Sequence, residues 1–286
     1  MAAARVVDGR YLAFHLHPDV FCVLAAIAVF YWYATNRMGP ATRRQKVWFY
    51  ASVATLLVFA EWPIHDLAEH YSYAIHMLEH EVFTMVAAPT MLLGTPDWLL
   101  RWAVVGRPWY RLVRFCCRPF AAGIIWSVVL LLSHWPAVVD ETTHNEPFHF
   151  AAHLVLFLSA LVFWMPIINR IPELPRITRP AKLLYLFLTS IPSTLPTIML
   201  IYAAPGLYSA YNGGPQYLGW SMTADQDMAG VIMGVAVTLM IWVLAAYHFF
   251  AWYAEESAAD QVPRLERLPS DLTWADVERE LGARRD

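Results

Sequence analysis

Residues 63–96 read PIHDLAEHYSYAIHMLEHEVFTMVAAPTMLLGTP, and this stretch decides the fold. Its second half is an apolar run long enough to cross a bilayer. Its first half carries His76 and His80, with His65, Asp66 and His70 just upstream. Histidines four apart share one helix face, one turn above the other, and two neutral imidazoles so placed can bind one metal ion. Glu79 and Glu81 fall about two turns into the same span. Carboxylates at that depth face a bundle interior or a wet cavity, so the face that carries them is expected not to meet lipid.

The rest of the chain agrees with a membrane setting. Of 286 residues, 58% are hydrophobic and only 15% charged, with 13 Trp and 14 Tyr. Soluble domains carry about a quarter charged residues. A net charge of −3 gives no nucleic-acid footprint. Cys22, Cys116 and Cys117 form neither a CxxC pair nor a disulfide framework. The polar lead ahead of the first span does not read as a removable signal peptide.

Apolar periodicity predicts an all-α, polytopic bundle of seven transmembrane helices, with spans at about 20–35, 47–62, 73–94, 120–135, 148–168, 183–204 and 228–253. The first, third and fifth connections hold the arginines and lysines (Arg43, Arg44 and Lys46; Arg107, Arg111 and Arg114; Arg176, Arg179 and Lys182). The second, fourth and sixth hold no Lys or Arg. The positive-inside rule then puts the N-terminus outside and the C-terminus in the cytoplasm. The expected division is a membrane domain, 1–253, and a cytoplasmic tail, 254–286. Within the tail, Thr273 and Asp276 have capping-box spacing ahead of a short helix. In the sixth span, Pro192 and Pro196 should kink the helix and free carbonyls for Ser193, Thr194 and Thr197 to satisfy.

On this topology ten histidines fall on the outer side, and only His248 lies at the inner end of the seventh helix. A lone interfacial histidine is usually a structural one, bonded to a carbonyl or carboxylate. Two HxxxH pairs, His76/His80 and His149/His153, fit that reading poorly, and facing each other they would offer four imidazoles between bundle helices. Asp66, His65, His70, His134, Asp140 and Asp225 are candidate additional ligands or hydrogen-bond partners of the ligands. Met77 and Met222 stand on the same side, and thioether beside imidazole favours copper, expected as Cu(I), with zinc as the alternative. Each methionine alone reads equally as core filling.

HMLEHEVFTMVAAPTMLLGTP resembles the signature of the seven-helix CtaG family, assembly factors of caa-type cytochrome c oxidase. HWPAVVD after the fourth span, HFAAHLVLFLSALVFWMPII in the fifth and ADQDMAGVIM at the start of the seventh resemble the same family. The similarity covers about residues 15–253. It implies a multi-pass protein of the bacterial cell (inner) membrane that delivers copper from the outer face to a haem–copper oxidase subunit, or exchanges it with another copper carrier. On the matching positions His76 and His80 are implied as principal ligands, then His149 and His153, with Asp66 and Asp225 as polar partners. Two positions depart from the family pattern: Ala152, where a Glu often precedes the second histidine, and Gly234, where an aromatic commonly follows the methionine.

Three other functions compete with a metallochaperone that has no turnover. Paired histidines on membrane helices can ligate haem axially, although the inner side offers only His248. A membrane zinc hydrolase would use Glu79 or Glu81 as base, but HMLEH is not HExxH, and Glu79 diverges by about 100° from the next histidine on the helix. A client-binding scaffold would need no metal.

Overall fold

A computed structural model describes residues 14, 16–266 and 273–283, and among them there are helices and no strands. The chain runs α1 (Pro18–Arg37), α2 (Arg43–Phe59), α3 (Ile64–His70), α4 (Tyr73–Glu81), a π-helical segment Val82–Ala87, and α5 (Ala88–Gly94). Next come α6 (Asp97–Val104), α7 (Tyr110–Cys116), α8 (Pro119–Ser133), α9 (Pro136–Thr142), α10 (Glu146–Ile168) and α11 (Arg179–Tyr202). Short α12 (Gly214–Tyr217) leads into α13 (Met222–Glu266), and α14 (Trp274–Gly282) closes the described chain.

Four helices are long and apolar enough to cross a membrane: α1, α10, α11 and residues 222–259 of α13. Two bent pairs, α2 with α3 at 49° and α7 with α8 at 81°, raise the number to six if each pair is one span. The sequence predicts seven; the structure supports four to six. The difference lies in the predicted third span. Residues 73–94 are helical throughout, but as α4, a π turn and α5 rather than one regular helix. Only Leu78, Val86 and Leu93 of this stretch are exposed. Glu79 and Glu81 are both buried, as a carboxylate face turned away from lipid requires.

Around it the main core gathers Tyr73, Met77, Trp126, Phe163, Trp164 and Leu186 from α4, α8, α10 and α11. The outward faces are apolar: Phe120, Phe187, Leu239 and Trp242 are all more than 60% exposed. Such continuous apolar surface suits lipid, not water.

Two glycines permit close approaches. A Cβ on Gly94 would lie 2.4 Å from the Phe49 backbone nitrogen, so α5 meets α2 nearly backbone to backbone. Tyr31 seals the contact by donating its hydroxyl to the Gly94 carbonyl at 2.8 Å. A Cβ on Gly234 would stand 3.0 Å from the Thr197 methyl, where α13 crosses α11. The aromatic-free position after Met233 therefore sits at a tight helix crossing.

The π turn disturbs the regular ladder of carbonyls, and side chains from neighbouring helices cover the displaced groups. Trp164 donates its indole N–H to the Thr84 carbonyl at 2.8 Å, and Ser52 donates to the Ala87 carbonyl at 2.7 Å. In α11, which holds Pro192 and Pro196, Ser193 and Thr194 bond back to the Thr189 and Ile191 carbonyls. Thr197 Oγ1 makes no hydrogen bond. The tail capping box is formed: Asp276 accepts from the Thr273 N–H at 3.0 Å and its hydroxyl at 2.7 Å.

Apart from His248, the histidines of the described bundle stand at the end opposite its arginines. At one end stand the starts of α4, α10 and α13. At the other, Arg179 pairs with Glu255 at 2.7 Å, Arg170 with Asp97 at 2.8 Å and Arg101 with Glu173 at 2.8 Å.

Candidate metal centre

The two helices that carry the HxxxH pairs are each fixed near their start. Ser72 caps α4, its Oγ accepting from the Ile75 N–H at 3.2 Å. The Ser72 hydroxyl donates to Asp225, which also accepts the Tyr73 N–H at 2.8 Å and the Ala74 N–H at 3.4 Å. A carboxylate here satisfies donors that helix geometry leaves unpaired and meets the positive end of the helix dipole. Thus α13 holds the start of α4. Asn145 does the same for α10, accepting from the Phe148 N–H at 3.1 Å.

With both helices fixed, their HxxxH pairs face each other. Ring centroids stand 4.2 Å apart for His76 and His80, 4.4 Å for His149 and His153, and 4.9 Å across the interface for His80 and His153. The Nε2 atoms of His80 and His153 are 2.9 Å apart. Two nitrogens on one tetrahedral ion at ordinary Zn–N length would stand about 3.3 Å apart, a few tenths of an ångström more. In the absence of an ion the same contact is an imidazole N–H···N hydrogen bond.

Two groups of three form in this way: His76, His80 and His153, and His65, His149 and His153. Within each, the ligand atoms lie within 4.8 Å of one another. His65, His76, His80 and His149 are buried, and His153 is partly so. The donor chemistry fits a borderline or soft ion: imidazole nitrogens at the centre, with carboxylates around them rather than between them. His76 Nδ1, His80 Nδ1 and both ring nitrogens of His149 are buried with no hydrogen bond, so the cluster holds polar capacity that its own side chains do not use.

The carboxylates orient the rings. His65 Nδ1 donates to Glu79 Oε1 at 2.8 Å, and in the neutral ring this bond makes Nε2 the lone pair. Glu79 is fully buried, and its cost of burial is offset by this charge-assisted bond. Glu69 was not among the sequence candidates, yet it stands 3.5 Å from His149 Nδ1, 3.6 Å from His70 and 4.0 Å from His65. Its signal was present in HDLAEH, where it lies four residues after His65 on the same helix face. His17, ahead of α1, lies 3.6 Å from Asp66, and that carboxylate holds its imidazole above the ordinary value of 6.5.

A cavity of about 730 Å³ opens beside these groups. Leu24 and Ile27 of α1, Leu56 of α2 and Leu154 and Phe157 of α10 form its apolar walls. His17, His65, Glu69, His70, His149 and His153 form its polar end. His76 and His80 are not on its wall.

The remaining sequence candidates lie around the cluster or away from it. His134 donates from Nδ1 to the Leu130 carbonyl at 2.7 Å, so its Nε2 lone pair faces Met77 Sδ at 3.2 Å. Both side chains are almost fully buried, with the His134 ring 6.2 Å from that of His80. Asp225 belongs to the α4 cap, and Met222 lines a small pocket beside it. Asp140 anchors Ser209 and Ala210. His248 is buried at the arginine end, near Arg179 and Lys182. His15 lies outside the described residues.

A family model described as cytochrome c oxidase caa3 assembly factor (Caa3_CtaG) matches residues 29–255, most of the chain and all of α2 to α12. No curated protein and no solved structure matches.

Proposed function

The chain belongs to the cytochrome c oxidase caa3 assembly factor family, and on that premise we propose that it binds copper as Cu(I) and passes it to an oxidase subunit. His76 and His80 hold the ion with His153, and His149 stands next to them. The protein sits in the bacterial inner membrane with its N-terminus and histidine end outside, its arginine end in the cytoplasm, and copper as cargo rather than resident cofactor. It performs no turnover.

The observation that carries this reading is the meeting of two HxxxH pairs from separate helices, with His80 Nε2 and His153 Nε2 2.9 Å apart. Neutral imidazoles supply lone pairs without adding negative charge, which suits a monovalent ion that must later leave. Met77 brings a soft sulfur to the edge of the cluster. Against a hydrolase, Glu79 is committed to His65 and does not point to a metal-bound water. Against haem, the crowding of His76, His80, His149 and His153, with rings 4.2–5.5 Å from the next, leaves little room for a macrocycle among them.

The test is metal analysis and an optical spectrum on detergent-purified protein loaded with copper under reducing conditions, then washed with a Cu(I) chelator. About one retained copper per chain is expected, with no Soret band and loss of the copper in the His76→Ala/His80→Ala variant. Oxidase maturation in cells should fall with it while membrane insertion is unchanged. Copper retention unaffected by the double substitution overturns the site assignment.

A further inference from the structure

The two histidine triads share one residue and differ in access. His65, His149 and His153 all line the cavity wall; His76 and His80 do not. An ion arriving through the cavity therefore meets the outer triad before the inner one. His153 belongs to both. A neutral imidazole has one lone pair, the other ring nitrogen carrying a proton. While His153 stays neutral it can serve one triad at a time, and filling both would require its deprotonation.

We propose that the cluster is a two-position relay for a single Cu(I) ion: an outer loading position at His65, His149 and His153, and an inner holding position at His76, His80 and His153. This rests on the copper reading above. In the transfer, Cu–N bonds to His65 and His149 break as bonds to His76 and His80 form. Copper stays Cu(I) and no electron moves; as His153 changes the ring nitrogen that binds copper, its N–H proton passes to the nitrogen that copper leaves. The distances suit a short step: the His76 ring centroid is 6.1 Å from that of His149 and 5.5 Å from that of His153.

The two positions also differ in their surroundings. Glu79 orients His65 and Glu69 stands against His149, so the outer triad is braced by carboxylates that attract an incoming cation. The inner triad has Met77 and His134 as its neighbours, a softer setting in which no carboxylate among the described residues is hydrogen-bonded to its rings. Charge favours capture at the outer position, and donor softness favours retention at the inner one.

The experiment follows Cu(I) transfer from a coloured chelator to detergent-purified protein, then its removal by excess chelator. The wild type should take up about one copper per chain. The His65→Ala/His149→Ala variant should still retain copper but load about tenfold more slowly or worse, and His65→Gln alone repeats this arm with a smaller change in volume. The His76→Ala/His80→Ala variant should load at the wild-type rate and lose copper about tenfold faster. His153→Ala should lose both behaviours, with helix content checked by circular dichroism. Two coppers per wild-type chain, or wild-type loading in the His65→Ala/His149→Ala variant, would overturn the relay while leaving a copper site. No copper on the wild type at all would instead remove the copper reading itself.

Discussion

Glu79 and His65 meet at 2.8 Å inside the bundle, joining α4 to α3 through a carboxylate with no exposed surface. The bond decides which nitrogen of His65 can take a metal. Glu79→Leu removes it, leaving a buried His65 with an unpaired Nδ1–H. A stability loss of about 1–3 kcal/mol is expected in thermal unfolding, with copper loading reduced by about tenfold. Glu79→Gln, which keeps an acceptor in place, should recover most of the stability and part of the loading rate. Equal loading in Glu79→Leu and wild type would remove the orienting role.

Glu69 has a different task, since it stands among three histidines at the cavity end rather than behind one of them. Glu69→Gln should slow copper loading most at low ionic strength, and the difference from wild type should shrink as salt is added. Stopped-flow loading at several salt concentrations measures this. A deficit independent of salt would point to lost geometry instead of lost charge.

Asp225 tests the scaffold. Its substitution by Ala unties α13 from the start of α4 and exposes the Tyr73 N–H as an unmet donor. The expected cost is about 1–2 kcal/mol, read as a lower melting temperature in detergent, with weaker copper retention as a consequence. Asp225→Asn should fall between the two. A copper defect without any loss of stability would mean that Asp225 acts on the ion directly.

Met77 separates softness from packing. Met77→Leu conserves volume, so stability should change by less than about 1.5 kcal/mol. The preference for Cu(I) over Zn(II), measured by competition, should drop because the sulfur beside His134 is gone. An unchanged preference would assign Met77 to the core alone.

At Gly94, Ala would place a methyl 2.4 Å from the Phe49 backbone nitrogen. The helices must separate, and a loss of about 1–3 kcal/mol is expected. Thermal unfolding of Gly94→Ala beside an exposed control such as Leu93→Ala reads the difference.

The amphipathic spacing of HMLEH and HFAAH was legible because helical period alone puts i and i+4 on one face. So were the membrane setting, the burial of Glu79 and Glu81 and the family, all of which reside in local pattern or composition. What could not be read was anything created by approach between distant segments. Glu69 gains its meaning only when α3 folds back beside α10, and the bend between α2 and α3 has no counterpart in an apolar count. The predicted seven spans came from that count, which does not register the 81° turn ahead of α8 or the π turn between α4 and α5. Likewise α13 runs on to Glu266, past the polarity change near Glu255 that marked the expected end of its span.

The π turn at Val82–Ala87 carries a consequence for insertions and deletions. A π turn holds about one residue more than an α turn, so it rotates everything after it by about 100° relative to everything before. Ahead of it, His76 and His80 must face α10; behind it, Gly94 must face Phe49. The π geometry absorbs the extra residue and so reconciles the two headings. Deleting one residue from Val82–Ala87 would let a regular helix keep both headings, whereas straightening the turn with its full complement of residues would force a choice between the histidine cluster and the α2 contact. In this stretch the phase of the chain is as much a heritable trait as any of its letters.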